Sequence, residues 1–286
     1  MAKSIFAAPK TATVEETKIL SVSHFISEIV RLAPPADIIR TYRGHAKTSY
    51  LLKPSLYRNK GNSKEEKNIL RELVGLHPSE FEQDRSAFDQ LVRMQHFSLE
   101  TRLFDVSMNP LVALYFASRS NQSEDGHVIM FDVGKRQVKY FDSDTVSCIA
   151  NLSSLSSSER NQIRHFENDS VLKNSDVGER LLHFIKTEKP YFLPKIRCED
   201  LRKIVLVKPK QNNRRILAQQ GAFFIFGLPH EMKPEEHDIK VTRLIVPASA
   251  KSTIFKQLDL ININGSTMFP EIESAAKYIM SKILPN

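Results

Sequence analysis

The chain has 286 residues, 41% of them hydrophobic, and a formal net charge of +8. This composition is sufficient for a packed core, and no stretch approaches the roughly 18 consecutive apolar residues of a membrane span. The start of the chain lacks the apolar run of a signal peptide, and Cys148 and Cys198 are far apart without metal-ligand spacing. We therefore expect a cytoplasmic protein with reduced thiols, no membrane association and no metal site.

The predicted elements alternate between helices and strands along the chain. Residues 1–20 are polar and patternless and are expected to form a flexible N-terminus. Helical periodicity and capping predict helices at residues 23–32, 64–76, 79–96, from Asn109 onward, 251–258 and 271–283. Strands are predicted at residues 38–42, 101–106, 127–133, 202–208, 222–226 and 241–246. A serine-rich loop at residues 152–158 opens a helical stretch, interpreted as an insertion near residues 150–195.

The order of these elements predicts one α+β domain over residues 21–286. No internal repeat and no long linker divides the chain, so strands and helices should share one core. Positive charge is concentrated in residues 40–71 and 195–215. Clustered Lys and Arg indicate a polyanionic partner, although a solvated basic surface is an equal alternative.

A first polar motif, Tyr42-Arg43-Gly44, lies at the end of the strand predicted at residues 38–42. A glycine beside an arginine at the end of a strand lets a ligand approach the backbone closely. The fork of donors on Arg43 suits a phosphate group. An ordinary surface arginine is the alternative, and for such a short motif it is the stronger one.

A second motif occupies residues 93–117, where polar side chains crowd two turns around a strand. Strand alternation places Thr101 and Asp105 on one face and Arg102 on the other. From spacing alone, an internal ion pair explains Arg102 and Asp105 better than a catalytic role does. Ser107 can be a helix-capping residue, and the second turn places Asn109 as the cap of a helix that begins at Pro110.

His96 closes the helix predicted before this strand. By itself it is better explained as a core histidine. A third motif, Gln219-Gln220-Gly221, precedes an aromatic strand. Its amides can hydrogen-bond a ribose or a base edge, or satisfy loop backbone.

These motifs together resemble the FRG domain, named for its Phe/Tyr-Arg-Gly opening. The resemblance rests on YRG, LxPSLYR, RMQHFxLxTRLxD with NPLVALYFA, RIxAQQGAFF and LDxxxINxxTMFPEIE, over about residues 38–280. The chain departs from the usual pattern at Ser98, Glu100, Val106 and Ser107, where glycine, proline, tryptophan and threonine are usual.

The arrangement is also similar to that of ADP-ribosyltransferases, which implies a central split β-sheet and NAD as a substrate. In that comparison Arg43 holds the phosphates or ribose of NAD, Ser107 positions the nicotinamide ribose, and Gln219 or Gln220 lies nearest the third site. A glutamine supplies no negative charge to a developing cation, so Asp105 or Glu100 could take that part. The remaining candidates around the cofactor are Tyr42, Gly44, His96, Thr101 and Arg102.

The leading hypothesis is an NAD-dependent ADP-ribosyltransferase-like toxin or phage-defence effector. The basic segments favour a nucleic acid as acceptor, RNA before DNA, and a toxin implies a neutralising antitoxin protein. One alternative is a non-catalytic nucleotide- or nucleic-acid-binding module. Another is a metal-independent nuclease that uses His96 and Arg102.

Overall fold

Seven strands form one open β-sheet with helices packed on it. The structure, a computed structural model, describes residues 17–284. The strands are β1 Ile38–His45, β2 Leu103–Ser107, β3 Gly126–Gly134, β4 Lys139–Tyr140, β5 Ile204–Lys208, β6 Gly221–Phe226 and β7 Lys240–Val246. Their order across the sheet is β4-β5-β6-β2-β1-β3-β7, with every pair antiparallel except β4 with β5. The α+β single-domain fold expected from the sequence is confirmed.

Fourteen helices are present in residues 17–284, with short 3₁₀ turns between some of them. The helices are α1 Val22–Arg31, α2 Lys60–Leu76, α3 Pro78–Phe81, α4 Ala87–His96, α5 Pro110–Ser118, α6 Asp144–Ala150, α7 Ser157–His165, α8 Asp169–Lys173, α9 Asp176–Glu188, α10 Cys198–Leu201, α11 Arg214–Gln219, α12 Ala248–Leu260, α13 Gly265–Met268 and α14 Ile272–Ile283. The insertion expected near residues 150–195 corresponds to the helical crossover between β4 and β5. Its serine-rich start is a compact 3₁₀ turn, in which Ser153 is fully buried.

The stretch expected to form a flexible N-terminus is packed on the sheet from Thr17 onward. Residues 1–16 lie outside the described residues. Thr17 and Ile19 exchange backbone hydrogen bonds with Ile245 of β7, and the Ile19 side chain is fully buried. The first helix is capped by Ser21 rather than Ser23, because the Ser21 hydroxyl accepts the amide of His24.

The strand pairing is shortest between β1 and β2, in the middle of the sheet. β1 pairs with β3 along its full length, and β2 pairs with β6 along its full length, but β1 and β2 share only the pair Tyr42↔Ser107. Beyond that pair the two strands diverge. The sheet therefore consists of two well-paired halves that open from one another after Tyr42 in β1 and before Ser107 in β2, and we call this opening the cleft.

The two faces of the sheet carry different layers. On one face, α1, α5 and α12 cover β1, β3 and β7, while α4 and α6 cover β2, β5 and β6. On the other face, an aromatic cluster packs under the loop that follows β1, and its rings include Phe104, Phe131 and Phe224. Arg43 and Phe104 belong to this second face, whereas Asp105 and Ser107 point to the first. The cleft is thus where residues of both faces can meet.

Gly44 is required by the close packing of α5 on β1. A Cβ atom at Gly44 would lie 1.9 Å from the carbonyl oxygen of Ala113 and 2.6 Å from the amide nitrogen of Ala117. Both are backbone atoms, so neither can rotate away. The glycine of the first motif therefore serves helix packing, which corrects its expected place in a ligand contact.

We expect Gly44→Ala to lower the free energy of unfolding by about 3 kcal/mol, because overpacking against fixed backbone forces α5 away from the sheet. Gly75→Ala is the matched control, since nothing lies within 4 Å of a Cβ at Gly75 near the end of α2. That control should be neutral or stabilising by up to about 1 kcal/mol. Urea denaturation measures both, and equal effects would show that crowding at Gly44 is unimportant.

Candidate functional site

Helix α4 ends in a turn that brings Gln95 and His96 to the cleft. The amide of Ser98 donates to the carbonyl of Gln95, and the amide of Leu99 donates to that of Met94. This is the Schellman pattern, and it places Ser98 in the left-handed region with φ of 64°. This left-handed conformation explains why glycine is usual here in the FRG pattern. With serine the turn keeps its shape, but the Cβ atom adds a conformational cost.

We expect Ser98→Gly to stabilise the protein by about 0.5–1 kcal/mol, because glycine adopts the left-handed region without the steric cost that a Cβ incurs. Ser86→Gly is the control, since Ser86 caps the other end of α4 with φ of −144°. It should not stabilise, because its hydroxyl accepts the amide of Asp89. A thermal unfolding comparison that ranks Ser86→Gly above Ser98→Gly would contradict this account.

Arg43 fills the cleft between the diverging strands. Its Nη1 donates to the backbone carbonyl of Asp105, which has no strand partner there, and its Nε donates to Nε2 of His45 at 3.1 Å. The guanidinium carbon lies 4.1 Å from the centre of the Phe104 ring. Nη2 forms no hydrogen bond with residues 17–284, so one edge of the fork is free for a ligand.

A buried histidine pair lies behind Arg43. Because arginine only donates, Nε2 of His45 must be an acceptor, and its Nδ1–H then donates to Nε2 of His127 at 3.1 Å. Burial, reinforced by the positive charge of Arg43, lowers the pKa of His45 to about 2. Burial also lowers the pKa of His127 to about 4. Both rings are therefore neutral at physiological pH and add no charge to compensate Arg43.

The cleft has an excess of positive charge around Arg43. The carboxylate of Asp105 lies 3.6 Å from Nη1 of Arg43, but it is half exposed to solvent. Burial lowers the pKa of Arg43, Asp105 opposes that shift, and the nearby Arg58 adds to it. A guanidinium whose pKa is lowered despite a neighbouring carboxylate is incompletely compensated, and such a position favours a bound anion.

Asp105 is held by a chain of polar side chains that reaches Arg43. Nε2 of Gln95 donates to the Asp105 carboxylate at 2.7 Å, and the Thr101 hydroxyl donates to Oε1 of Gln95 at 2.5 Å. Thr101 is 1% exposed. It therefore orients Gln95 and does not reach a ligand, which corrects its expected place in a cofactor contact.

Ser107 and Gln219 meet beside the same chain. The Ser107 hydroxyl donates to the Gln219 carbonyl at 2.6 Å and accepts the amide of Asn109 at 2.9 Å. Nε2 of Gln219 donates to the carbonyl of Met268 at 2.9 Å. Ser107 is therefore not the helix cap that the sequence allowed, since Asn109 caps α5. Its hydroxyl holds the turn before that cap, and the Gln219 amide holds the neighbouring Met268.

Gln219 rather than Gln220 lines the cavity. Gln220 ends α11 with φ of 45°, and its carbonyl accepts the amide of Met108. Its backbone thereby links the end of α11 to the end of β2. Of the two glutamines left open by the sequence, Gln219 is the candidate.

A small cavity of about 40 Å³ lies between α4, α11, β2 and β6. Its polar lining includes Gln95, His96, Asp105, Arg215 and Gln219. His96 is not a core histidine, since its Nε2 lies 2.9 Å from Oε1 of Glu271 at the start of α14. Sequence reasoning missed Glu271, although the motif TMFPEIE contains it. Its partner is 175 residues away along the chain, beyond the reach of any local pattern.

Three further sequence candidates outside the cavity have other roles or partners. Arg102 is fully buried, pairs with Glu66 at 2.5 Å and donates to two backbone carbonyls, so the internal ion pair is its role and the expected cofactor contact is corrected. Tyr42 is 7% exposed and belongs to the core under α5. Glu100 accepts a hydrogen bond from Asn62 of α2, which leaves Asp105 as the cleft carboxylate among the two proposed.

Within residues 17–284 there is no group of three or more His, Cys, Asp or Glu side chains arranged to hold a metal ion. The helices of the same region are each too short or too polar to span a bilayer.

The fold and cleft describe a single-domain α+β protein with an arginine-centred opening between two halves of a sheet. Residues 39–126 match the family model of the FRG domain. The match runs from β1 to the first residue of β3 and includes Arg43, Asp105 and Ser107. The resemblance over residues 127–280 stays a prediction. No curated protein and no solved structure matches the chain.

Proposed function

We propose that this protein binds NAD in the cleft and transfers ADP-ribose to an acceptor, with a nucleic acid as the acceptor. The observation that carries the proposal is the position of Arg43, which lies in the opening of a split sheet with a free Nη2 edge and incomplete charge compensation. The pyrophosphate of NAD is an anion suited to that edge. The similarity to ADP-ribosyltransferases that the motifs imply agrees with this placement.

The transfer requires one bond to break and one to form at C1′ of the nicotinamide ribose. The electrons of the C1′–N bond leave with nicotinamide, which becomes neutral, while the ribose passes through a cationic, oxocarbenium-like state. A lone pair of an acceptor oxygen or nitrogen then forms the new bond to C1′, and the acceptor proton passes to a base.

Two carboxylates border the cavity side of the cleft, Asp105 and Glu271. Asp105 is fixed by Gln95, and Glu271 pairs with His96. Negative charge near a developing cation lowers the barrier, and the same groups can accept the released proton. They supply the negative charge that Gln219, as a neutral amide, cannot supply.

Incubation of the full chain with NAD radiolabelled in its adenylate phosphate tests the proposal. We expect release of nicotinamide and transfer of label to an RNA pool, with little transfer to protein. Such an activity would harm the cell that makes it, and a toxin or defence role with an antitoxin partner follows from the proposal. Intact NAD in the presence of RNA, DNA and protein pools would refute it.

A non-catalytic nucleotide-binding module is the second candidate. It is favoured by the internal hydrogen bonds of Ser107 and Gln219, which leave fewer polar groups for a reacting ribose. Calorimetric binding of NAD without release of nicotinamide would distinguish this function from the transferase.

A further inference from the structure

A strip of cations paired with aromatic rings leads along the protein surface to the cavity. Lys208 ends β5 and lies 5.9 Å from the ring centre of Tyr140 on the edge strand β4. Lys210 follows at 5.0 Å from the ring of Phe141. Arg215, which lines the cavity, lies 4.9 Å from the ring of Phe269. We call these three pairs the basic strip.

The basic strip retains uncompensated charge. The segment of residues 195–215 contains eight Lys or Arg against two acidic residues. Lys210 is paired with Asp89 at 2.8 Å. Lys195, Lys208, Arg214 and Arg215 form no ion pair with any residue of 17–284. A run of unpaired cations with this geometry attracts a polyanion.

The aromatic members of the surface are unusually open to solvent. Tyr140 is 61% exposed, and Tyr191 is 97% exposed. Tyr191 borders a groove of about 640 Å³ that Asp144 of α6 and Lys195 also line. Asp144 follows closely on Tyr140 and Phe141 in the chain and is bonded to Lys189. The groove therefore begins three residues beyond Phe141 along the chain.

We propose that the basic strip is the track for a single-stranded nucleic acid whose end or loop enters the cavity as the acceptor. Cations beside a strand neutralise its phosphates, and exposed rings stack on its bases without reading the sequence. An acidic protein would use the same cations but would gain nothing from open tyrosine rings. The inference rests on the proposed function, since it supplies the acceptor for the transfer.

Fluorescence anisotropy with a labelled 15-nucleotide single-stranded RNA, the full chain and no NAD tests the track. We expect Tyr140→Ala to weaken binding about tenfold, as loss of one stacked base does. Lys208→Glu should also weaken binding and should reduce the salt slope of log K by about 0.7, the value for one phosphate contact on a single strand. Lys208→Gln should also weaken RNA binding, but by less than Lys208→Glu.

Lys256→Glu is the matched control, because it makes the same change of charge on the exposed side of α12, which packs on the other half of the sheet. Binding weakened equally by Lys256→Glu would show a general charge effect and overturn the track. Poly-glutamate would be added at a carboxylate concentration equal to the phosphate concentration of the RNA. Displacement of the RNA under these conditions would assign the basic strip to acidic proteins instead. Lack of RNA binding by the wild-type chain at low salt would also overturn it.

The two proposals fail separately. RNA bound through the basic strip with NAD left intact would retain the track and refute the transferase. Label transferred to RNA at the wild-type rate by the Tyr140→Ala and Lys208→Glu variants would retain the transferase and refute the track. Thermal unfolding of each variant confirms that the chain is folded in both assays.

Discussion

Replacing Arg43 with alanine is expected to lower turnover of NAD at least a hundredfold. The guanidinium is the group in the cleft that can hold the pyrophosphate through its free Nη2 edge, and loss of such a charged donor from a water-poor site costs on the order of 10²–10³ in rate. Arg43→Lys should restore little activity, since an ammonium keeps the charge without the fork. Initial rates of nicotinamide release measure the effect.

The same substitution has a smaller effect on stability. It leaves Nε2 of His45 and the carbonyl of Asp105 without their donor, at a cost of about 1–3 kcal/mol for each unpaired buried group. The unfolding temperature should therefore fall by a few degrees while the fold persists. Arg31→Ala is the control, because Arg31 lies on the surface in an ion pair with Glu28 and should keep full turnover. Turnover by Arg43→Ala within threefold of wild type would remove Arg43 from the mechanism.

Removal of Glu66 is expected to destabilise the fold more than any change in the cleft. Glu66 is 4% exposed and pairs with the fully buried Arg102 at 2.5 Å and with Arg160 of α7 at 3.4 Å. Glu66→Ala leaves two largely buried guanidinium groups without their carboxylate partner, and breaking such a pair costs about 3–5 kcal/mol. Because Arg160 also donates to the carbonyl of Ser63, the ion pair fastens the helical insertion to α2.

Urea denaturation gives the free energy of unfolding for this comparison. Glu65→Ala is the control on the same helix, since Glu65 is exposed and bonded only to the neighbouring Asn68, and it should change stability by less than about 0.5 kcal/mol. Glu66→Gln should fall between the two, because it keeps the shape and loses the charge. A loss below about 1 kcal/mol for Glu66→Ala would show that the arginines find other partners.

Local signals predicted most of the elements, and their failures have local causes. Asn109 and Pro110 begin α5 as expected, because capping and a fixed φ act within one turn. The helix predicted over residues 79–96 is two helices, since Ser86 starts α4 as an N-cap. Helix α11 was missed, because six residues are too few for periodicity to register. The strand predicted to stop at Tyr42 continues to His45 through its pairing with β3.

The candidate site was predicted only in part. Arg43, Asp105 and Gln219 are proposed from residue type and position. The structure places Asp105 against Arg43 and, with Gln219, in the lining of the cavity, which does not include Arg43. The internal role of Arg102 followed from strand alternation, but its partner Glu66 on α2 did not. The electrostatics of Arg43 are set by His45, His127 and Arg58, and none of these was proposed as a site residue. Arg58 ends the LxPSLYR motif, but the motif does not show that it lies near Arg43.

The amino-acid sequence by itself determined the α+β class, the capped helices, the basic segments and the motifs that match the FRG domain over residues 39–126. These properties depend on neighbours within a few residues. Only the tertiary structure decided that β1 and β2 diverge after one pair, that Arg43 fills the gap, and that Glu271 reaches His96. The reason is that strand divergence and contacts between distant segments depend on how whole layers pack, and no local periodicity encodes that packing.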